Sequence, residues 1–340
     1  RGNEAVSDNE RALACARSAL DAGEIVAVKG IGGYHLMCDA TDPEAIGRLR
    51  RLKPRPDKPL AVMVAVNGGE PPGDGLFRYD DAERELLESP ARPIVLVRLA
   101  DERTGQAVLS DAVAPGLDEI GVMVPYSPLH HLLLHGREAP LIATSANISG
   151  EPVLTDAADV EGRLGHIADA FLHHDRPILR PADDPVYRTL DGRPRPLRLG
   201  RGSAPVELPL PRPVPAPVLA VGGHMKNAIG LAWDDRMVLS PHIGDMGTAR
   251  SVEVFETVVA DLQRLYGIRA AHVVCDAHPG YVTTRWARRS GLPVTEVLHH
   301  HAHASLAVRE AGGDGDAIAF AWDGVGLGAD GRLWGGEAFM

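Results

Sequence analysis

At 340 residues, 44% hydrophobic and 24% charged, the chain is long enough for two domains that each bury a core. Its net charge of −11 argues against a protein that coats nucleic acid through a broad basic face, and leaves room for a small basic pocket. Cys15, Cys38 and Cys275 form no CxxC pair, and no apolar leader or run of about 18 apolar residues occurs, so a cytoplasmic, reducing setting without a membrane-spanning helix is expected. The start at Arg1 rather than Met suggests a piece of something longer.

In chain order, Ser7 with Glu10 makes a capping-box signal ahead of an apolar helical face at Leu13, Ala16 and Leu20. EIVAVK (24–29) reads as a short buried strand, and a glycine turn follows at Gly30, Gly32 and Gly33. Asp42 and Pro43 start a helix through Leu52, proline being favourable at its first position. LAVMVAV (60–66), PIVLVRL (93–99), IGVMVPY (120–126) and LIATSA (141–146) are further strands. Such runs separated by helices predict an α/β domain with a substantial sheet over residues 1–204. Residues 205–217, PVELPLPRPVPAP, read as an extended proline-rich linker, because proline cannot donate to a ladder.

Residues 218–340 form the second predicted domain. PVLAVGG and NAIGLAWDDRMVLS give strands around an Asp-Asp turn. A helix over 251–266 places Phe255, Val258, Val259, Leu262, Leu265 and Tyr266 on one face. AHVVCDAH and VTEVLHH are strands ending in polar residues, and AIAFAWDG ends in Asp323 and a glycine turn. Ligands commonly bind at strand ends in open α/β sheets. No internal repeat is visible.

Only four of the 35 basic residues are lysines, and each stands in a motif: Lys29 in VKGIGGYH, Lys53 and Lys58 in LKPRPDKPL, Lys226 in GGHMKNAIG. Lysine meets phosphate as a point charge and arginine as a fork, so a nucleotide site can use both. RLRRLKPRPDK is a solvated helix end if taken alone, but Pro54, Pro56 and Pro59 make it a stiff loop suited to holding several cations around one anion. Ser145 and Asn147 follow a strand and offer a hydroxyl and an amide to phosphate or ribose; alone the pair is more often a helix cap. Together, Lys53/Arg55, Lys58 and Ser145/Asn147 resemble the KxR, second lysine and SxN motifs of the YrdC family. The resemblance implies a YrdC-like α/β domain that condenses ATP, with Mg²⁺, and a carbamate-type acid into an acyl adenylate. It makes Lys53, Arg55 and Lys58 catalytic, and Ser145, Asn147 and Lys29 ligand-binding. Arg188, Arg198 and Arg201 are looser candidates for closing the pocket.

His299–His300–His301–Ala302–His303 follows a strand. If the segment is helical, His299 and His303 stack one turn apart, the spacing of paired metal ligands, and Asp323 about 20 residues on supplies a carboxylate. Neutral imidazoles with a carboxylate suit Zn²⁺ or Fe²⁺. His300 and His301 are expected to be exposed or to support the ligands. Gly222–Gly223–His224–Met225–Lys226 and the run from Asp323 through Gly324 and Gly326 to Gly328 could bring backbone amides to phosphate, though a tight turn explains them equally well.

With HxxxH, these segments resemble the actin-like (ASKHA), ATP-binding carbamoyl-transfer domain typified by TsaD; SPHIGDM, CDAHPGY, HHHAH, DGVGLGADGRLWGGE, VPYSPLHHLLLHG and TSANISGEP resemble the HypF family. On that resemblance, Lys226, Asp323, Gly324 and Gly326 bind ATP and His299, His303 and Asp323 bind metal. A YrdC-like domain ahead of a TsaD-like one is the HypF order, whereas antibiotic O-carbamoyltransferases reverse it. The resemblance implies carbamate drawn from carbamoyl phosphate, and transfer to the C-terminal cysteine of a HypE-type protein in [NiFe]-hydrogenase maturation. It also implies that the family's acylphosphatase-like and zinc segments and the rest of the actin-like domain are missing, which would impair transfer. The alternatives are a threonylcarbamoyl-AMP synthase and a non-catalytic RNA-binding module; the acidic balance argues against nucleic acid, and no membrane partner is expected.

Overall fold

The computed structural model describes residues 5–66, 72–73, 75–100, 108–148, 150–313 and 316–340. Its contacts divide the chain into two compact units, Arg1–Ala204 and Pro205–Met340.

The first unit is built on a ten-stranded mixed sheet. Its strands are β1 (Val26–Lys29), β2 (Tyr34–Asp39), β3 (Val62–Met63), β4 (Phe77–Arg78), β5 (Ile94–Leu99), β6 (Glu119–Met123), β7 (Leu141–Ser145), β8 (Ala170–Leu172), β9 (Val186–Leu190) and β10 (Arg193–Arg198). They lie in the order β10-β9-β5-β6-β3-β7-β2-β1-β8, with β4 on β5. The helices are α1 (Asn9–Asp21), α2 (Pro43–Leu52), α3 (Asp81–Glu88), α4 (Pro128–Leu134) and α5 (Ala157–Leu164).

Because strand side chains alternate, β1 and β2 feed two separate cores. Ala27, Tyr34, Leu36 and Cys38 pack on one face with Ile46 and Leu49 of α2 and Val160 and Leu164 of α5. Val26, Val28 and Met37 pack on the other with Ala16 and Leu20 of α1 and Leu133 and Leu134 of α4. The α/β domain with a substantial sheet is therefore present, covered by helices on both faces. Asp42 caps α2 through the amides of Glu44 and Ala45, as its sequence suggests. The start of α1 differs: Asp8, not Ser7, accepts the Arg11 amide. The 60–66 run also shrinks to the two-residue β3, beyond which Val64 still donates to the Met123 carbonyl at 3.0 Å.

In the second unit, β11 (Val206–Pro209), β12 (Val218–Ala220), β13 (Gly230–Trp233), β14 (Arg236–Leu239), β15 (His272–Asp276) and β16 (Val294–Val297) form one sheet. Its order is β11-β14-β13-β12-β15-β16; the pairs up to β12 are antiparallel and the last two parallel. The helices are α6 (Ala249–Tyr266), α7 (Val282–Arg289) and α8 (His299–Glu310). Two short hairpin-like pairs finish the unit, β17 (Ala319–Ala321) with β20 (Glu337–Phe339) and β18 (Gly326–Leu327) with β19 (Leu333–Trp334).

Two expectations fail here. The proline-rich stretch is not wholly linker, since β11 lies in it and pairs with β14. An edge strand has one neighbour, so Pro209 can end it without breaking a second ladder. On α6 the apolar stripe is narrower than the periodicity suggests: Phe255, Val259 and Leu262 are buried while Leu265 is 61% exposed. Among the described residues no helix is long and apolar enough to cross a membrane.

Candidate functional site

The loop after α2 and the end of β7 meet at one end of the first unit's sheet. Lys53, at the C-cap of α2, points its ammonium at the Ser145 carbonyl and at Asn147 Oδ1, 2.9 Å away. The same Asn147 oxygen accepts the Ser145 hydroxyl at 2.8 Å, and the amide nitrogen donates to the Glu151 carbonyl at 2.7 Å. Arg55 donates to Thr144 Oγ1 and to the Pro59 carbonyl, both at 2.9 Å, and its buried Nε has no partner. Every acceptor here is neutral. Burial, with the charges of Arg55 and Lys58, lowers the Lys53 pKa to about 7 against the opposing pull of Asp183. Burial and the charges of Arg50 and Arg198 likewise lower Arg55 to about 10.

Sequence reading attributes the loop's stiffness to prolines and misses Arg50. Its guanidinium donates to the carbonyls of Arg55, Pro56 and Lys58 at 2.7, 3.1 and 3.0 Å, and to those of Ala112 and Val113. One side chain thus fixes the loop that carries Lys53, Arg55 and the exposed Lys58. Arg50 alone in a charge run gives no sign of this role.

The outlying candidates separate. Lys29, at the end of β1, is 8% exposed and donates to the His174 carbonyl at 2.9 Å. Arg198 stays near the cluster: its charge acts on Arg55 while its Nε holds the Asp184 carbonyl at 2.9 Å. Arg201 is engaged within the fold. Its Nε pairs with Asp184 Oδ1 at 2.7 Å, its other nitrogens bond the Ala91 and Arg92 carbonyls, and it lies 3.3 Å over the Tyr126 ring. Asp184 also binds His35 at 2.7 Å. Burial alone would raise the Asp184 pKa, but His35 and Arg201 hold it far below the usual carboxylate range. Nor does Arg188 join the cations; it pairs with Glu119 in a groove also lined by Arg78, Arg98 and Glu83.

In the second unit α8 is a helix, so His299 and His303 do stack, with ring centroids 4.9 Å apart. Asp323, just past β17, meets both: its Oδ2 lies 2.8 Å from His299 Nε2 and 3.3 Å from His303 Nε2. One donor atom from each residue lies within 4.8 Å of the others, a set that fits a small divalent cation. Asp276, at the end of β15, binds His299 Nδ1 at 2.7 Å and raises its pKa against burial. This carboxylate–imidazole support was missed; its only sequence signal is an acid ending a strand.

His300 is fully buried rather than exposed, between Asp323 Oδ1 and Glu337 Oε2 at 2.7 Å each. It explains Gly326, where a Cβ would stand 2.6 Å from the His300 Nε2. The ring's packing therefore excludes a side chain at this position. Gly324, at φ +101, belongs to the turn after Asp323. Asp323 itself is spent on three histidines, and Lys226 is an exposed turn residue at φ 48 whose amide bonds Asp245 Oδ1 at 2.8 Å. The structure thus brings His299, His303 and Asp323 together as a candidate metal triad, and places Lys226 and the glycines in turns. His301 is exposed and stacks on Phe339 at 5.7 Å.

Comparison with known proteins matches both units. Residues 18–200 fit the Sua5/YciO/YrdC family model, described as telomere recombination, and residues 213–310 fit that of the HypF Kae1-like domain. A YrdC-type domain leading into a Kae1-like one defines the class. The carbamoyltransferase HypF of Synechocystis is 43% identical over 99% of this chain and 43% of its own length. The probable carbamoyltransferase HypF of Methanocaldococcus jannaschii is 33% identical over 100% of this chain and 44% of its own. The solved structure of full-length HypF in its phosphate- and nucleotide-bound form covers 96% of this chain and 50% of that one, at TM-score 0.88 and 37% identity. That of T. kodakarensis HypF reaches TM-score 0.88 at 35% identity, over 99% of this chain and 43% of the other. The chain belongs to the HypF family, and it spans less than half the length of these HypF relatives.

Proposed function

We propose that the first unit forms carbamoyl adenylate from ATP and carbamate. The observation that carries this is the convergence of Lys53 and Arg55 on Ser145, Asn147 and Thr144, where every acceptor they bond is neutral and the pull of Asp183 does not outweigh burial and the neighbouring cations. A buried cationic nest lined by neutral oxygens is completed by an anion, and the orphaned Arg55 Nε is a donor still to be used. In the reaction a carbamate oxygen attacks the α-phosphorus, the bond to the bridging oxygen breaks, and pyrophosphate leaves. Lys53, Arg55 and Lys58 oppose the charge that gathers on the phosphoryl oxygens, and Ser145 and Asn147 orient the nucleotide. Mg²⁺ comes with ATP and shields its phosphates.

In the second unit His299, His303 and Asp323 would hold the metal, Zn²⁺ or Fe²⁺, which supplies Lewis acidity towards a carbonyl or phosphoryl oxygen. Asp276 and His300 fix the ligands' orientation. Resemblance to HypF supports the remainder of the reading: carbamate drawn from carbamoyl phosphate, and a HypE-type protein whose C-terminal cysteine accepts the carbamoyl group.

The test is mass-spectrometric detection of adenylates from purified protein and Mg-ATP, with ammonium bicarbonate in one tube and threonine plus bicarbonate in the other. Carbamoyl-AMP in the first is expected. Threonylcarbamoyl-AMP in the second alone would move the chain to tRNA modification, and no adenylate from folded protein would reject the reading.

A further inference from the structure

Lys29 is a buried ammonium without a counter-ion. It is 8% exposed, its hydrogen-bond acceptor is the His174 carbonyl at 2.9 Å, and among the described residues no carboxylate pairs with it. A buried cation held by one neutral oxygen is costly unless something else neutralises it.

Strand register puts this ammonium on the face of the nucleotide cations. Lys29 pairs with Tyr34, Tyr34 and Leu36 share a face, and Leu36 pairs with Thr144, to which Arg55 donates. Lys29 and the end of β7 are two inter-strand spacings apart, about 10 Å. His35 points to the opposite face, where it pairs with Val28 and Ser145, so the Arg201–Asp184–His35 network meets the sheet from that side. Ser145 reaches the nucleotide cations at the strand's end through its carbonyl and Asn147.

A second group beside Lys29 is also unsatisfied. His174 Nε2 lies 3.3 Å from the Gly30 carbonyl, which accepts only if that nitrogen carries the hydrogen. His174 Nδ1 is then a lone-pair acceptor, and it is buried with no partner. Burial and the charge of Lys29 lower the ring's pKa, in keeping with a neutral imidazole. The surrounding turn leaves little space. A Cβ on Gly30 would stand 2.6 Å from the Tyr126 hydroxyl, one on Gly32 2.3 Å from the Ala182 carbonyl, and one on Gly33 2.3 Å from a Val153 methyl.

We infer that Lys29 and His174 form a subsite for the small acid of the adenylation reaction, separate from the cations that hold ATP: the Lys29 ammonium takes one carboxylate oxygen of carbamate and the His174 Nδ1 accepts its N–H. The inference rests on the proposed adenylation. Charge balance assigns the occupants, since one ammonium matches a monoanion whereas a triphosphate calls for the Lys53, Arg55 and Lys58 set. The second carboxylate oxygen stays free to attack phosphorus.

The experiment compares wild type with Lys29→Met and His174→Phe in two assays. In adenylate formation, the apparent KM for ammonium bicarbonate should rise about tenfold or more in Lys29→Met, the loss of one charge-assisted bond, while ATP affinity by equilibrium dialysis stays within about twofold. His174→Phe should show a smaller rise in the same constant. Line broadening of ¹³C-bicarbonate by the protein without ATP reads the subsite directly, and should vanish in Lys29→Met. ATP affinity falling in step with the acid would overturn the inference and give Lys29 to phosphate; both constants unchanged would make it a structural cation. Broadening that depends on Lys29 in a wild type that makes no adenylate would keep the subsite and reject the adenylation. Neither broadening nor adenylate from wild type overturns both.

Discussion

In the first unit, Lys53 and Arg55 are held by carbonyl, hydroxyl and amide oxygens; in the second, His299, His300 and His303 rest against Asp276, Asp323 and Glu337. One site keeps positive charge without its complement, and the other gathers carboxylates around ionisable rings. On the proposed function a ligand of opposite sign would complete each: phosphate the first, a divalent cation the second. The contrast recurs inside the first unit. Arg201 has Asp184 and stacks on Tyr126, whereas Arg55 bonds the neutral oxygens of Thr144 and Pro59 and keeps an idle Nε. On this proposal a cation that already has its carboxylate serves the fold, and one bonded to neutral oxygens alone serves binding.

Arg201→Met tests that division most severely. The side chain is 9% exposed and its loss leaves Asp184 charged and buried beside His35. Unfolding free energy should fall by about 3–5 kcal/mol, measured by urea titration. The mirror experiment is Lys53→Met or Arg55→Ala. Adenylate yield should drop about 100-fold or more with the thermal midpoint held or raised, because each removes a desolvated charge whose bonded acceptors are all neutral. If Arg55→Ala instead unfolds the chain and Arg201→Met abolishes adenylation in folded protein, the two arginines have been assigned the wrong way round.

Much of the site was legible in the sequence because its pieces are local. KxR–K stands on one loop, SxN follows one strand, and HxxxH needs only a helix to align. What was not legible depends on contacts between distant segments. Arg201 and Arg188 are arginines near a basic pocket by sequence, and only the fold shows that Asp184 and Glu119 have claimed them. Gly326 follows a strand like a phosphate-binding glycine, and only the fold shows the His300 ring 2.6 Å from its missing Cβ. The buried β-branched runs fixed the sheet's existence, while β11 was lost among prolines that an edge strand tolerates.

On the second unit, Asp276→Asn separates support from ligation. The amide cannot hold the His299 imidazole as a carboxylate does, so metal affinity should weaken about 10- to 100-fold by competition with a chelator, leaving the stoichiometry at saturation intact. His299→Ala with His303→Ala should abolish bound metal altogether. Equal loss from Asp276→Asn would make Asp276 a ligand in its own right.

The smallest effect is the pH dependence of nucleotide affinity. With a pKa of about 7, Lys53 loses its charge across the neutral range when no anion is present. Phosphate would restore its proton, so ATP binding takes up a proton above that point. Affinity should fall about fivefold between pH 7 and 8, as the charged fraction falls, and Lys53→Arg should flatten that slope by keeping its charge. Without ATP, the same group works on stability in the other direction. Folded Lys53 titrates near 7 and unfolded lysine at 10.5, so its unfavourable contribution is fully present below pH 7 and is relieved as pH rises between the two values. Opposite slopes for affinity and stability, both removed by Lys53→Met, would show that the ammonium is held ready for an anion. Parallel slopes would place the titrating group elsewhere.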